Sequence, residues 1–256
     1  MSAAVVTPDA TDPTDAAATA IGATAIGATD TAATDTAAMD SGTFFRPIAQ
    51  GRIHRWGGAR LIVALSGDLR RAPPLSPAEQ RVAGALPAWR RAEWTAGRLL
   101  AKCLVGEALS APADEVEILP RDDGSPCVLV GGSPVTALNV SISHTSRHVA
   151  AALAPQPVGV DLCEEASADA VRRVAEHFLS PRELSLIGTD RPAALAGAWA
   201  LKEAAVKADR SGVFGAAPRG IPILGLRPPV LGGRRRAMVW RAQDAALALV
   251  LARPAD

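Results

Sequence analysis

The sequence contains no tyrosine, and aromatic residues make up only 4% of its 256 residues. Because no stacking platform can be recognised and the arginines are scattered, nucleic acid is not an expected partner. The three cysteines, Cys103, Cys127 and Cys163, lack C-x-x-C spacing and support neither a disulfide framework nor a structural zinc site, so we expect a reducing, cytoplasmic location. No stretch approaches the roughly 20 apolar residues of a membrane helix, which excludes a transmembrane protein.

The first 45 residues contain no lysine or arginine. A secretory signal begins with basic residues, so export by that route is not expected. Residues 1–43 are mostly Ala, Thr, Asp and Gly in near-repeats, and we interpret them as a disordered tail because they offer few large apolar side chains. This tail holds six of the 26 acids, so the remainder, with 27 basic and 20 acidic residues, has a net charge of +7. Such a charge favours phosphate-bearing ligands or an acidic protein partner.

Helix and strand patterns alternate through the rest of the chain. Ser76, Pro77 and Glu79 have the N-cap, first-turn proline and capping-box spacing that begins a helix, and the spacing recurs at Ser180 and Glu183. Further helices are predicted over 89–109, 167–178 and 192–209, and strand patterns over 61–67, 116–130, 138–144, 148–163 and 236–252. These patterns predict an α/β (α+β) body with an N-terminal half over 44–155 and a C-terminal half over 156–256.

Two predicted strands carry polar residues that are candidates for a site. One strand alternates apolar and polar residues and delivers Ser143 and His144 at its end. In the other, over 158–163, Asp161 emerges from an otherwise apolar strand. An acid at such a position is often only a helix N-cap or a loop acceptor.

The helix predicted over 192–209 places charged residues beside its apolar stripe. At about 100° per residue, Lys202 and Glu203 border the stripe around Val206, whereas Leu201 falls on the opposite side. The simple interpretation is an exposed ion pair between Glu203 and Lys207, with Lys202 extending its amine to solvent. The alternative is that these charges face a site.

Several segments, in order, resemble the 4′-phosphopantetheinyl transferase superfamily. The superfamily pattern G-[VI]-D, followed by W-[SA]-x-K-E-x-x-x-K, is similar to residues 159–161 and 199–207. Further similarity lies in R-x-x-E-W-x-A-G-R at 90–98, G-S-P at 124–126, the Ser143-His144 pair and F-L-S-P-R-E-L at 178–184. The resemblance covers roughly 75–215 and is to the longer single-chain, surfactin-synthetase-activating type.

The resemblance implies two similar α/β halves related by a pseudo-twofold axis, with coenzyme A between them. It implies transfer of phosphopantetheine from coenzyme A to a serine hydroxyl of an acyl or peptidyl carrier protein. By the same resemblance, Asp161 and Glu203 bind Mg²⁺ at the coenzyme A pyrophosphate, and Glu203 is also the base for the serine. Lys202 and Lys207 hold phosphate oxygens, Lys207 stabilises the leaving phosphate, Ser143 and His144 contact the coenzyme A phosphates, and Arg90, Arg98 and Arg121 bind the 3′-phosphate.

Two positions depart from the superfamily pattern. Many members have a second acid two residues after the aspartate, whereas this chain has Cys163, a poor Mg²⁺ ligand, followed by Glu164 and Glu165. We expect water to fill the missing position, or Glu165 to reach it. A lysine often found in the G-K-P turn is Ser125 here, and Arg121 could replace its contact.

Two other functions remain open at this stage. One is a coenzyme A-binding relative without catalytic activity, and the other is a Mg²⁺-dependent phosphohydrolase that uses water in place of the carrier serine. Because both halves of the expected cleft lie in one chain, we expect a monomer. The pathway of the carrier protein cannot be identified from the sequence.

Overall fold

The computed structural model describes residues 29–30, 44–71, 74–188, 191–211 and 218–253. Apart from residues 29 and 30, the predicted tail lies outside these ranges. The described strands are β1 (Thr29–Asp30), β2 (Arg46–Pro47), β3 (Ile53–Trp56), β4 (Ala59–Leu65), β5 (Val116–Pro120), β6 (Pro126–Val130), β7 (Ser133–Pro134), β8 (Asn139–His144), β9 (His148–Ala154), β10 (Val158–Glu164), β11 (Ile223–Leu226), β12 (Pro229–Leu231), β13 (Arg235–Ala242) and β14 (Ala245–Ala252). The described helices are α1 (Pro77–Gly84), α2 (Ala88–Leu109), α3 (Ala168–Phe178), α4 (Pro181–Ile187) and α5 (Pro192–Asp209).

The strands form two larger sheets and two smaller ones. The first larger sheet has the order β1-β3-β4-β9-β8, and the second has the order β10-β14-β13-β2. The smaller sheets are β5-β6-β7 and the hairpin β11-β12. This mixture of helices and sheets confirms the predicted fold class.

One succession of elements occurs twice along the chain. A strand (β4 or β10) leads through a 3-10 turn to helices, then to a hairpin (β5–β6 or β11–β12), and finally to two antiparallel strands. In both passages the last strand returns to pair with the first, β9 with β4 and β14 with β10. This repeat is compatible with the two similar halves expected from the sequence.

The two capping boxes of the sequence form as predicted. In α1 the Ser76 side chain accepts from the Glu79 amide while the Glu79 carboxylate accepts from the Ser76 amide. Ser180 and Glu183 make the same reciprocal pair at the start of α4. Each box satisfies backbone donors that a helix start leaves without intrahelical partners.

Strand alternation on β10 separates two buried layers. Val160 and Leu162 pack with Leu61 and Val63 of β4 in a cluster between the sheets. The opposite face of β10 is covered by α5, which is apolar nearly all round and has Leu201 fully buried. The interpretation of its charges as an exposed Glu203–Lys207 pair with Lys202 in solvent is wrong, because Lys207 pairs with Asp161 and Lys202 is buried against Glu183.

Gly159 allows α5 to approach β10 closely. A Cβ at this position would lie 1.8 Å from the carbonyl oxygen of Ala204, so any larger residue would push the helix away from the strand. The glycine of the G-V-D segment therefore sets the distance between Asp161 and α5.

Residues 44–48 pack on the second sheet, although they precede the first in sequence. β2 pairs with β13 in parallel, and Phe45 is buried in the α5 cluster. The Phe45 ring fills the space beside Gly197, where a Cβ would lie 2.3 Å from the ring. This segment forms a strap from the start of the described body to the second half.

Candidate functional site

The site lies at the seam between β8 and β10, where the two larger sheets meet. These strands are not joined by a backbone ladder. Instead, the amides of Val160 and Leu162 donate to the side-chain oxygens of Ser141 and Ser143, at 3.0 and 3.1 Å. The prediction of consecutive strands over 148–163 holds for β9 and β10, but the two strands belong to different sheets.

Asp161 is held firmly at this seam. Its Oδ1 accepts hydrogen bonds from Ser143 Oγ at 2.8 Å and from Lys207 Nζ at 2.6 Å. Lys207 also donates to the carbonyl oxygen of Val160 at 3.1 Å. The carboxylate is 6% exposed and lies against a cavity.

Glu203 interacts electrostatically with Asp161. Burial raises the pKa of Glu203, the charge of Asp161 raises it further, and Lys207 opposes both, so that the pKa lies at about 7. A carboxyl group with this pKa is suited to take up a proton near neutral pH. Glu203 does not line the cavity beside Asp161 and instead borders a separate, smaller cavity of about 240 Å³ with Trp199 and Phe178.

A cavity of about 620 Å³ opens at the seam and is lined from both halves. His144, Arg90 and Glu93 form one of its walls. Arg90 Nη1 lies 2.7 Å from His144 Nε2, and Glu93 Oε2 lies 3.2 Å from Arg90 Nη1. Burial lowers the pKa of His144, which matches a neutral ring that accepts a hydrogen bond from Arg90.

Arg98 provides a second cation on the same wall. Its guanidinium stacks 4.2 Å from the Trp94 ring centroid, and the side chain is largely buried. Burial lowers the pKa of Arg98 to about 10, and its Nε has no hydrogen-bond partner within the described part of the chain. A buried cation with an unsatisfied donor is a favourable place for an anionic group.

Lys202 does not line the cavity of about 620 Å³, although it borders the smaller one beside Glu203, and its contacts correct its predicted role as a phosphate ligand. Its Nζ lies 2.6 Å from Glu183 Oε1 and donates to the carbonyl oxygen of Ile221 at 2.5 Å, and the side chain is 1% exposed. Burial lowers the pKa of Lys202, while the Glu183 carboxylate opposes that effect. Its amine is occupied by the fold and is not available to a phosphate.

Two further predictions need correction. Arg121 is not part of the cavity wall, because its guanidinium donates to the carbonyl oxygen of Pro126 at 2.6 Å and lies 3.3 Å from Ser125 Oγ. Ser143 lines the cavity, but its hydroxyl is occupied by Asp161 and the Leu162 amide and is not free for a phosphate.

The position two residues after Asp161 supplies no metal ligand, and Glu165, the predicted substitute, does not reach Asp161. Cys163 packs in the apolar cluster against α5, and burial raises the pKa of its thiol to about 12, so it stays protonated. Glu164 accepts from Ser146 Oγ, and Glu165 accepts from Arg241 Nε at 2.9 Å. The suggestion that Glu165 replaces the missing acid is therefore wrong for this arrangement.

The residues present fit a divalent cation that has two protein ligands. Within the described ranges no group of three or more His, Cys, Asp or Glu could hold a metal. Asp161 and Glu203 remain as a pair of acids. Burial is the main cause of the raised pKa of Glu203 and the charge of Asp161 adds to it, and a cation would relieve this repulsion. Mg²⁺ commonly binds through one or two carboxylates and completes its shell with water and substrate phosphates.

Two residues gained importance only in the structure. Glu183, predicted solely as a capping-box acid, also binds Lys202, and Glu93 lies between Arg90 and His144. The Glu183–Lys202 contact could have been predicted from the repeated L-S-P-x-E sequence, because each copy is followed by a lysine on the next long helix. No sequence pattern would place Glu93 beside His144.

The comparison that bears on this site concerns its C-terminal part. Residues 157–224 match the model of the 4′-phosphopantetheinyl transferase superfamily. The matched segment contains Asp161, Glu183, Glu203 and Lys207. No curated protein matches the chain.

Two solved structures share limited similarity with the chain. A holo-[acyl-carrier-protein] synthase from Helicobacter pylori, in complex with coenzyme A, is 27% identical over 38% of this chain and 99% of its own, with a TM-score of 0.33. A holo-(acyl-carrier-protein) synthase from Bacillus anthracis, in complex with CoA (3′,5′-ADP), is 21% identical over 38% of this chain and 92% of its own, also with a TM-score of 0.33. No helix in the described ranges meets the length and hydropathy needed to span a membrane.

Proposed function

We propose that the protein is a 4′-phosphopantetheinyl transferase of the single-chain type, which moves phosphopantetheine from coenzyme A to a serine of a carrier protein. The observation that carries the proposal is the Asp161–Lys207 pair beside a cavity whose other wall holds Arg90 and Arg98. Glu203 lies outside the lining of this cavity but interacts electrostatically with both members of the pair. A cavity that carries the cations Arg90, Arg98 and Lys207 on its walls is suited to a charged, extended phosphate ester. The match of residues 157–224 to the superfamily supports the same assignment.

In the proposed reaction, the serine oxygen forms a bond to the phosphorus of the 4′-phosphopantetheine group. The bond from that phosphorus to the bridging oxygen of coenzyme A breaks, and adenosine 3′,5′-bisphosphate leaves. Glu203, with its pKa of about 7, accepts the proton of the serine hydroxyl. Lys207 contributes positive charge beside Asp161, where it can stabilise charge on the transferred phosphate.

Asp161 and Glu203 would hold Mg²⁺, which in phosphoryl transfer neutralises charge on the phosphate oxygens. Asp161 Oδ1 already accepts two hydrogen bonds, and no described residue donates to Oδ2, which leaves that oxygen for the cation. Arg98 and Arg90 would bind phosphate groups of coenzyme A on the opposite wall, with His144 beside them. Arg121 and Lys202 are not part of this proposal.

The proposed partner is an acyl or peptidyl carrier protein, which the superfamily assignment implies. Carrier domains of this kind are small acidic helical bundles, and the net charge of +7 outside the tail is complementary to them. We also propose a monomeric enzyme, because both walls of the cavity come from one chain. A cytoplasmic location is proposed because the three cysteines are free.

The test is intact mass spectrometry of an apo carrier protein incubated with coenzyme A, Mg²⁺ and this protein. We expect a gain equal to one phosphopantetheine group, loss of that gain in Glu203→Gln, and retention in Glu176→Gln, an exposed position on α3. Isothermal titration should show that Glu203→Gln still binds coenzyme A.

Two results would contradict the assignment. Coenzyme A consumed without carrier modification would indicate the phosphohydrolase instead. Coenzyme A bound without any reaction, across several carrier types, would indicate a binding protein. Full activity of Glu203→Gln would remove Glu203 as the base.

A further inference from the structure

We propose that Ser143 is a positioning residue, which fixes the Asp161 carboxylate so that its second oxygen faces the divalent cation. This inference rests on the proposed function. Ser143 then acts on Asp161, and the direct contact with a coenzyme A phosphate that its sequence position suggests is not its role.

The first support comes from comparing Ser143 with Ser141, two residues earlier on β8. Both serines are about equally buried, and both accept a hydrogen bond from a β10 amide, at 3.0 Å for Ser141 and 3.1 Å for Ser143. Their contribution to the seam is therefore the same. Only Ser143 also donates its hydroxyl hydrogen, to Asp161 Oδ1 at 2.8 Å. Among the described residues of β8, Ser143 is thus the one that links the seam to the acid.

The second support is the direction that this hydrogen bond imposes. With its single hydrogen directed to Asp161 and its lone pair accepting from Leu162, the hydroxyl has one orientation only. Asp161 Oδ1 is then held by two donors from different elements, Ser143 on β8 and Lys207 on α5. Two donors on one oxygen restrict rotation of the carboxylate, so Oδ2 stays directed away from both.

The third support is the difference in charge between the two donors. The ammonium of Lys207 repels a divalent cation, whereas the neutral Ser143 hydroxyl orients the carboxylate without opposing the cation. Without the Ser143 hydroxyl, Asp161 Oδ1 would keep only its hydrogen bond from the Lys207 ammonium. Groups that orient metal ligands typically change metal affinity by about 10-fold to 100-fold when they are removed.

The experiment measures Mn²⁺ binding directly, by electron paramagnetic resonance of the full chain in the presence of coenzyme A. Ser143→Ala is compared with the matched control Ser141→Ala, because each variant removes one acceptor from a β10 amide. We expect Ser143→Ala to weaken Mn²⁺ binding by about 10-fold or more and Ser141→Ala by less than about threefold. The thermal unfolding midpoints of the two variants should fall by similar amounts.

Ser143→Thr keeps the hydroxyl and covers the case in which the alanine variant does not fold. It should bind Mn²⁺ within about threefold of the original chain. Equal Mn²⁺ affinity in Ser143→Ala and Ser141→Ala overturns the positioning role while leaving the transferase intact. The positioning role is also overturned if the original chain modifies a carrier and Ser143→Ala binds Mn²⁺ as tightly as the original chain. An unmodified carrier together with no Mn²⁺ binding by the original chain overturns the proposed function and the positioning role together.

Discussion

The two halves of the molecule contain the same buried pair of a capping-box glutamate and a lysine, here called a junction, but differ in the residues next to it. In the first half, Glu79 accepts from the amides of Ser76 and Ile118 and lies 3.0 Å from Lys102 Nζ. The lysine in turn donates to the carbonyl oxygen of Pro74. Each junction ties the start of one helix, the middle of the next and the following strand to one carboxylate.

In the second half, Glu183 has the corresponding set of contacts. It accepts from the amides of Ser180 and Ile223 and lies 2.6 Å from Lys202 Nζ. Burial acts to raise the pKa of Glu183, but the hydrogen bonds from Lys202 and the two amides outweigh it, so the pKa lies below its usual value. Lys202 therefore belongs to the fold, although it lies inside the W-x-x-K-E segment.

The halves diverge one residue after each lysine. Cys103 follows Lys102, whereas Glu203 follows Lys202. Burial raises the pKa of both side chains, which leaves Cys103 a neutral thiol but places Glu203 near neutral pH. The comparison teaches that the lysine of the shared helix pattern is part of the fold in both halves, while the acid beside it has no counterpart in the first half.

The largest effect should come from breaking either junction. Lys102→Met and Lys202→Met each remove one partner of a buried ion pair and leave a carboxylate without its counter-charge. We expect each to lower the free energy of unfolding by about 3–5 kcal/mol, measured by urea denaturation. A Lys202→Met protein that keeps full stability but loses coenzyme A affinity would show that Lys202 is a ligand after all, and Lys102→Met is the matched control.

The second prediction concerns pH and depends on Glu203 alone. Because its pKa is raised to about 7, the fraction of basic carboxylate falls as the pH drops below that value. We expect kcat/KM for the apo carrier to fall about tenfold per pH unit below the pKa of Glu203, from initial rates at fixed coenzyme A. The fall should begin near pH 7 at limiting Mg²⁺ and at lower pH as Mg²⁺ is raised, because a bound cation lowers that pKa. Residual activity of Glu203→Gln should lack this slope. A flat profile between about pH 5.5 and 8 at limiting Mg²⁺ would argue against Glu203 as the base.

The third prediction restores the acid that the second half lacks. Cys163→Glu places a carboxylate two residues after Asp161, and we expect the Mg²⁺ concentration for half-maximal activity to fall by about threefold to tenfold. Cys163→Ser, which adds no charge, should leave that concentration unchanged. Identical values for both variants would mean that the side chain at this position does not face the cation. Since Cys163 is buried in an apolar cluster, the glutamate variant should also unfold at a lower temperature.

The smallest effects should come from the two helix caps. Ser76→Ala and Ser180→Ala each remove one side-chain acceptor from the first turn of a helix, α1 or α4. We expect each to lower the free energy of unfolding by about 1 kcal/mol, from chemical denaturation curves. Equal losses would support the equivalence of the two junctions, and a loss confined to one half would contradict it.

The local structure of the chain was predictable from its sequence, because it depends on short-range rules. The capping boxes, α2, α5 and the β5–β6 hairpin form where their residue patterns place them. The pairing of Asp161 with Glu203 and Lys207 was inferred by resemblance, and the structure brings these three residues together. The β11–β12 hairpin was not predicted, since its strands are only four and three residues long and lie in a segment, residues 220–233, that is rich in Gly and Pro.

The roles of individual polar side chains were less predictable. Lys202 and Ser143 each have a residue type suited to binding phosphate, and each stands next to another candidate site residue, Glu203 or His144. Their actual partners, Glu183 and Asp161, are distant in sequence and are set by how the helices pack on the sheets. Spacing along one element shows which residues share a face. It does not show whether a side-chain donor, such as the Lys202 amine, is already bound to an acceptor elsewhere in the protein.

The strap over residues 44–48 limits how the protein can be shortened. Phe45 fills the gap beside Gly197 on α5, the helix that carries Glu203 and Lys207. A version that starts after residue 48 would retain every residue of the site and still lose the ring that supports this helix from outside. Recombinant fragments and fusion joints should therefore leave Phe45 in place, with the cut or the linker on its N-terminal side.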